Sequence, residues 1–378
     1  MVSRADFLLD DDVIFLNHGS FGACPRPVFE SFLRWQRESE RQPVAFYQRR
    51  YDALLDSARA ALADYVNADS DEIILMPNAT VALNMVAQRV ALRPGDEVLT
   101  TDHEYGAMIY LWRWVCQRAG ASLVEAPLPY PLADEQAFYE SVIARATART
   151  RVLFVSHITS PTAIRLPLER LLAWARARNI LTVVDGAHTI GQMPLNLRAL
   201  GADIYTSNCH KWLCAPKGAA FLYVRRDLQP QFDPLIISWG YTPGSSFATQ
   251  NQWQGTRDVA AYLAIPDAIA FQQENDWQSV RERCHEMARQ FREGMAAMTG
   301  LPPLTPDGPE WYGQMSAAPL PPIGDPAGLK QRLLEDYGIE MPITTRGDQC
   351  YARASFQAYN TPQDLEAALQ AFSVLLRR

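Results

Sequence analysis

Between Asp71 and Arg226 the chain alternates short runs of β-branched and apolar residues with amphipathic stretches whose apolar positions fall three and four apart. That alternation is the strongest constraint on the fold. Apolar runs joined by helical stretches are βαβ units, and such units build a parallel sheet covered on both faces. The expected strands are E-I-I-L-M (72–76), D-E-V-L-T-T (96–101), R-V-L-F-V-S (151–156), I-L-T-V-V-D (180–185), A-D-I-Y-T-S (202–207) and A-A-F-L-Y-V (219–224). After Thr256 the pattern changes to a long helical run from Val259 to Met298, a proline-rich stretch (301–326), a helix, the strand A-R-A-S-F and a last helix. This predicts a large α/β domain over 15–255 and a smaller C-terminal α/β domain over 256–378, joined by the N-terminal segment 1–14.

The 378 residues are 48% hydrophobic and 20% charged, enough to fill two cores and unlike a disordered or fibrous chain. The net charge of -7 and the absence of lysine or arginine runs argue against nucleic acid or an anionic membrane surface as partner. A small-molecule ligand is expected instead. No apolar run approaches the roughly 18 residues of a membrane span, and the first residues have too short an apolar core for a signal peptide. The expected compartment is the cytoplasm. The six cysteines form no C-x-x-C pair, which suits reduced, buried thiols.

In an open parallel sheet, ligands sit beyond the carboxyl ends of the strands. Asp185 closes one strand in V-V-D-G-A-H-T-I-G; alone it reads equally well as a turn cap. A carboxylate held in a partly dry crevice calls for a cationic partner. Ser207 closes another strand just before N-C-H-K-W-L-C (208–214). A lysine leaving a buried strand end is costly as an ammonium, and burial lowers it toward a free amine that can form a Schiff base. The spacing of Cys209, His210 and Cys214 matches no paired metal-ligand pattern, so no metal is expected. In M-P-N-A-T-V-A-L-N (76–84) a strand gives way to a helix whose first N–H groups can cap locally or hold a phosphate. Together these supply a phosphate seat, an acid for a pyridinium and a Schiff-base lysine, the three things pyridoxal 5′-phosphate needs from a protein.

The sequence resembles the class V aminotransferases, fold type I pyridoxal-phosphate enzymes, along nearly its whole length. The motifs are N-H-G-S-F-G, N-A-T, T-D-H-E-Y-G-A, S-H-I-T-S-P-T, V-D-G-A-H, N-C-H-K-W-L-C-A-P-K-G, Q-G-T-R-D and R-A-S-F-Q-A-Y-N-T. N-H-G-S-F-G with D-G-A-H and N-C-H-K-W is most similar to the isopenicillin N epimerase branch. The resemblance implies that Lys211 holds the cofactor and moves protons at the substrate α-carbon, and that Asp185 pairs with the pyridine nitrogen. It places His188, Thr159 and Ser160 near the ring hydroxyl and Tyr105, in preference to His103, on the ring face. Ala79, Thr80, Asn208 and His210 would hold the phosphate, completed by Gly255 and Thr256 of a second subunit, which implies a homodimer. Arg353 would clamp the substrate α-carboxylate through two parallel hydrogen bonds. Asn17 and His18 would help close the substrate pocket, and Trp311 to Met315 would either wall it or pack in the core.

Loss of the α-proton opens several reactions. Return to the opposite face gives epimerisation, return to the cofactor gives transamination, and loss of a β-substituent gives a lyase. Epimerisation needs a proton donor on each face. Lys211 supplies one; Tyr105, His103 or a water would supply the other. A cysteine desulfurase needs a nucleophilic cysteine on a loop before the arginine, and Cys350, three residues before Arg353 at a strand start, reads as a packed residue. The expectation is an amino-acid epimerase or racemase, with a carbon–sulfur β-lyase as the alternative. A non-enzymatic cofactor-binding protein would be expected to lack Lys211 or Asp185, and both are present.

Overall fold

The computed structural model describes residues 2–377. Its main sheet has seven strands: β1 (Ile73–Met76), β2 (Glu97–Thr101), β3 (Ser122–Ala126), β4 (Thr150–Ser156), β5 (Leu181–Asp185), β6 (Ile204–Ser207) and β7 (Ala220–Val224). They lie in the order β1-β7-β6-β5-β4-β2-β3. All neighbours are parallel except β7, which runs antiparallel to both β1 and β6.

The apolar runs are continuous because both sheet faces are covered. In β4, Leu153 and Val155 enter one apolar layer while Val152 and Phe154 enter the other. Each such side chain contributes roughly 1.5–3 kcal/mol on burial. β3 escaped the sequence reading because it is an edge strand. Its S-L-V-E-A is exposed or half-buried over four of five positions, so no continuous apolar run marks it.

The C-terminal part carries an antiparallel sheet of β8 (Met315–Pro319), β9 (Ile343–Arg346) and β10 (Gln349–Ser355), with β10 in the middle. Ile14–Phe15 pairs in parallel with Ile339–Glu340, tying the N-terminal segment to this part. The long helical run expected from Val259 is three helices, Ala260–Leu263, Ile265–Glu274 and Trp277–Thr299. Pro266 opens the second, and Asp276, left-handed at φ 44°, turns the chain and caps the third by accepting from the Ser279 N–H. Ile265–Glu274 packs on the helix Tyr51–Val66, where Tyr65 Oη donates to Gln272 Oε1 at 2.9 Å. No described helix is long and apolar enough to cross a membrane.

Candidate active site

β1, β2, β4, β5 and β6 present their carboxyl ends to one cavity of about 410 Å³, covered by β9, β10 and the N-terminal turn His18–Phe21. Asp185 ends β5 with its carboxyl buried. One oxygen accepts the Ala187 N–H at 2.9 Å. Burial holds this carboxyl above its ordinary range, opposed by that N–H and by Lys211.

Lys211 sits in the tight turn after β6 and faces the cavity. Burial, and then the charge of Arg353, push its amine down to about 7 against the pull of Asp185. Its neighbours agree with a free base. Trp212 Nε1 donates to His188 Nδ1 at 3.3 Å, and burial keeps His188 neutral, so the ring hydrogen is on Nε2. That nitrogen lies 3.3 Å from Lys211 Nζ, which accepts.

The expected phosphate seat is the start of helix Ala79–Ala87. Asn78 Oδ1 accepts the Val81 N–H and Asn208 Oδ1 accepts the Ala79 N–H, each at 2.9 Å. The Thr80 N–H is left without a protein acceptor among the described residues, at the positive end of the helix. His210 lines the same end, its Nδ1 donating to the Ala219 carbonyl at 3.1 Å. Burial first, then Lys211, lowers its imidazole to about 4.

Arg353, on β10, is 4% exposed and reaches the opposite wall. It donates to the Ser160 carbonyl, to Ser160 Oγ at 3.3 Å and to Ser20 Oγ at 3.1 Å. Its Nε has no partner among the described residues. A buried guanidinium held only by neutral oxygens attracts an anion, and a carboxylate fits its fork.

Several expected residues stand elsewhere. Thr159 does not line the cavity: its hydroxyl shares a hydrogen with Thr162 at 2.8 Å and accepts the Ile164 N–H at 2.9 Å, holding the loop after β4. His103 turns inward to Thr162 Oγ1 at 2.9 Å, whereas Tyr105 lines the cavity and is 47% exposed. His18 and Asn17 lie behind the wall. His18 spans Tyr359 Oη and the Lys211 carbonyl, both at 3.0 Å, and Asn17 donates to Glu340 at 2.9 Å. They brace the turn, and Gly19, Ser20 and Phe21 line the cavity in their place. Trp311 to Met315 lie outside the lining, with Trp311, Tyr312 and Met315 in the core. Gly255 and Thr256 follow the helix Phe247–Gln252 and do not line their own chain's cavity. Ser20 and Ser156, both at the cavity, were missed, since isolated serines carry no spacing signal.

Among the described residues no three His, Cys, Asp or Glu side chains gather to hold a metal. All six cysteines are free and buried. The groups at hand fit pyridoxal 5′-phosphate instead: a deprotonable amine, a buried carboxyl in want of a cation, and an unfilled helix-end N–H.

A mostly parallel, doubly covered sheet with these groups at its carboxyl edge is the architecture of the fold type I pyridoxal-phosphate enzymes. The aminotransferase class-V family model matches residues 30–368, and the chain belongs to that family. It is 38% identical to isopenicillin N epimerase from Amycolatopsis lactamdurans, over 99% of this chain and 98% of that protein. It is 34% identical to putative L-cysteine desulfhydrase 1 from Oryza sativa subsp. japonica, over 96% and 83%. The cysteine desulfurase CsdA from Escherichia coli superposes with a TM-score of 0.83 at 24% identity, covering 99% of this chain and 97% of that one, a likeness of fold.

Proposed function

We propose that the protein is an amino-acid epimerase or racemase of the isopenicillin N epimerase-like kind. The observation that carries this reading is the placement of Lys211 and Tyr105. In the sheet order, β6, which leads to Lys211, lies on one side of the Asp185 strand, and β2, which leads to Tyr105, lies on the other beyond β4. Lys211 and Tyr105 therefore reach the cavity from opposite sides of Asp185, on either side of any group that would pair with that carboxyl.

Pyridoxal phosphate, when bound, spreads over its ring the negative charge left at the α-carbon. The protein's part is positional. Arg353 grips the α-carboxylate, Asp185 pairs with the pyridine nitrogen, and Thr80 and Asn208 hold the phosphate, with His210 joining them once the phosphate charge draws a proton onto its Nε2. The Lys211 amine takes the α-proton from one face, and the Tyr105 hydroxyl delivers a proton to the other. Gly255 and Thr256 of a second copy would complete the phosphate seat in a homodimer. The free cysteines suit a cytoplasmic setting. For the domains we keep 15–255 and 256–378, with 1–14 joining the smaller; the pairing of Ile14–Phe15 with Ile339–Glu340 supports the last point.

The test is incubation with single-enantiomer amino acids in deuterated water. The expected result is α-deuterium in both enantiomers for wild type, and exchange without inversion for Tyr105→Phe. Inversion at the wild-type rate in Tyr105→Phe would remove Tyr105 from the second face. A wild-type protein that binds no pyridoxal phosphate, or a Lys211→Ala variant that keeps a borohydride-reducible linkage, would sink the site assignment.

A second reading, a carbon–sulfur β-lyase, is favoured by the similarity to the L-cysteine desulfhydrases. No cysteine lines the cavity to accept sulfur, so this lyase would release free sulfide. Pyruvate and sulfide from L-cysteine, without epimerisation, would select it.

A further inference from the structure

Glu104 follows His103 just past β2, is buried, and has no part in the roles above. Thr101 Oγ1 lies 2.6 Å from its Oε1 and Ser156 Oγ 2.5 Å from its Oε2. No cation pairs with it among the described residues. His103 is turned to Thr162, Arg346 pairs with Asp102, and the charged group that faces Glu104 is Asp185. Ser156 and Asp185 are direct partners in the β4–β5 register, so their side chains stand side by side on one sheet face, and both line the cavity.

We propose that Glu104 is a positioning residue for Asp185, acting through Ser156: whether Glu104 carries a proton decides whether the Ser156 hydroxyl hydrogen points to Asp185 or back to Glu104. This rests on Asp185 being the partner of the pyridine nitrogen. In the structure the Ser156 hydroxyl donates to Glu104 and not to Asp185. With Glu104 protonated, its O–H donates to Ser156 Oγ instead, freeing the Ser156 hydroxyl to turn toward the neighbouring Asp185 carboxylate and favour its charged form. When Glu104 gives its proton to solvent, the Ser156 hydroxyl rotates to the new carboxylate and Asp185 loses that donor. One proton leaves and no covalent bond other than Glu104 O–H breaks. Burial, aided by the charge of Asp185 and opposed by the two hydroxyls, raises the Glu104 carboxyl to about 7, so both arrangements are accessible near neutrality. A carboxyl at this place would tie the electron demand of the ring to pH from beneath the cavity.

The experiment uses Glu104→Gln, which keeps size and hydrogen bonding but cannot titrate, and Ser156→Ala, a small change that leaves Glu104 in place. In cofactor-free wild type, infrared titration should show a carboxylic acid C=O band that disappears with a midpoint near pH 7 and is missing in Glu104→Gln. In the holoprotein, the visible absorbance of the cofactor should titrate in the same range. Either substitution should remove that step or move it by about one pH unit or more, and the double variant should do no more than each alone. No infrared step near neutrality in wild type would overturn the proposal, as would a Glu104→Gln holoprotein that titrates like wild type, or additive effects of the two substitutions. Failure to bind pyridoxal phosphate at all would instead overturn the parent reading. If Glu104→Gln does not fold, the wild-type infrared titration and the Ser156→Ala holoprotein decide.

Discussion

Gly22 lies against the backbone that carries Lys211: at φ +71°, a Cβ built on it would meet the His210 carbonyl oxygen at 2.0 Å and Lys211 Cα at 2.9 Å. Its own N–H donates to the His18 carbonyl at 2.7 Å, and His18 Nε2 in turn reaches the Lys211 carbonyl. The N-terminal turn is thus a template for the lysine loop. Gly22→Ala combines backbone strain of about 1 kcal/mol with an overlap against backbone, and a loss of about 3 kcal/mol or more is expected on denaturant unfolding. Gly95→Ala, at φ +88° with nothing within 4 Å, should lose only the strain. Equal losses at the two sites would refute the template.

The lowered Lys211 amine has a consequence for the cofactor-free protein. Between about 7 and 10.5 the unfolded chain binds a proton that the folded chain does not, so wild-type stability should rise with pH through this window. Lys211→Met lacks that dependence. It should exceed wild type by about 2 kcal/mol at pH 6, a figure discounted for the open cavity beside the amine, and the gap should close toward pH 10. Chemical denaturation at several pH values checks it; a constant gap would mean the lysine is an ordinary ammonium.

Arg353→Lys keeps charge but loses the fork. KM for an amino acid should rise about tenfold or more, equivalent to about 1.4 kcal/mol, while pyridoxal-phosphate affinity changes little. Amino-acid amides, which lack the carboxylate, should discriminate poorly between the variant and wild type. Steady-state kinetics with acid and amide pairs makes the comparison, and an equal penalty on both would place the carboxylate elsewhere.

Burial raises the thiols of Cys24 and Cys284 to about 12 and of Cys116 to about 11, and pushes Cys209 and Cys214 up as well. Thiols this shielded are poor nucleophiles. The folded protein should react slowly with a thiol reagent and quickly once unfolded, and Cys350→Ala should keep activity within about twofold. Loss of turnover in that variant would revive a persulfide mechanism.

Six of the seven main strands were legible because burial on both faces leaves an unbroken apolar run, as in R-V-L-F-V-S; β3, wet along most of its length, leaves none. Asp185 and Lys211 were legible for a related reason, being charged residues just where buried strands stop. What the sequence could not show was direction within loops. His103 and Tyr105 are two residues apart at a helix start, and only the fold turns one to Thr162 and the other to the cavity. Asn17, His18 and Thr159 likewise belong to motifs whose polar atoms are consumed in bracing the loops themselves.

The expected carboxylate clamp joins Ser20, Ser160 and Arg353, three points spread over almost the whole chain. Within one chain, the groups expected to seat the cofactor lie between Ala79 and Lys211 at the edge of the large sheet, and only Gly255 and Thr256 would come from a second copy. During synthesis, then, a growing chain can acquire the means to hold a reactive carbonyl well before it can orient an amino acid upon it. Of these groups the Arg353 guanidinium is the last to be made, so a chain that has made its cofactor seat would still lack a hold on the amino acid.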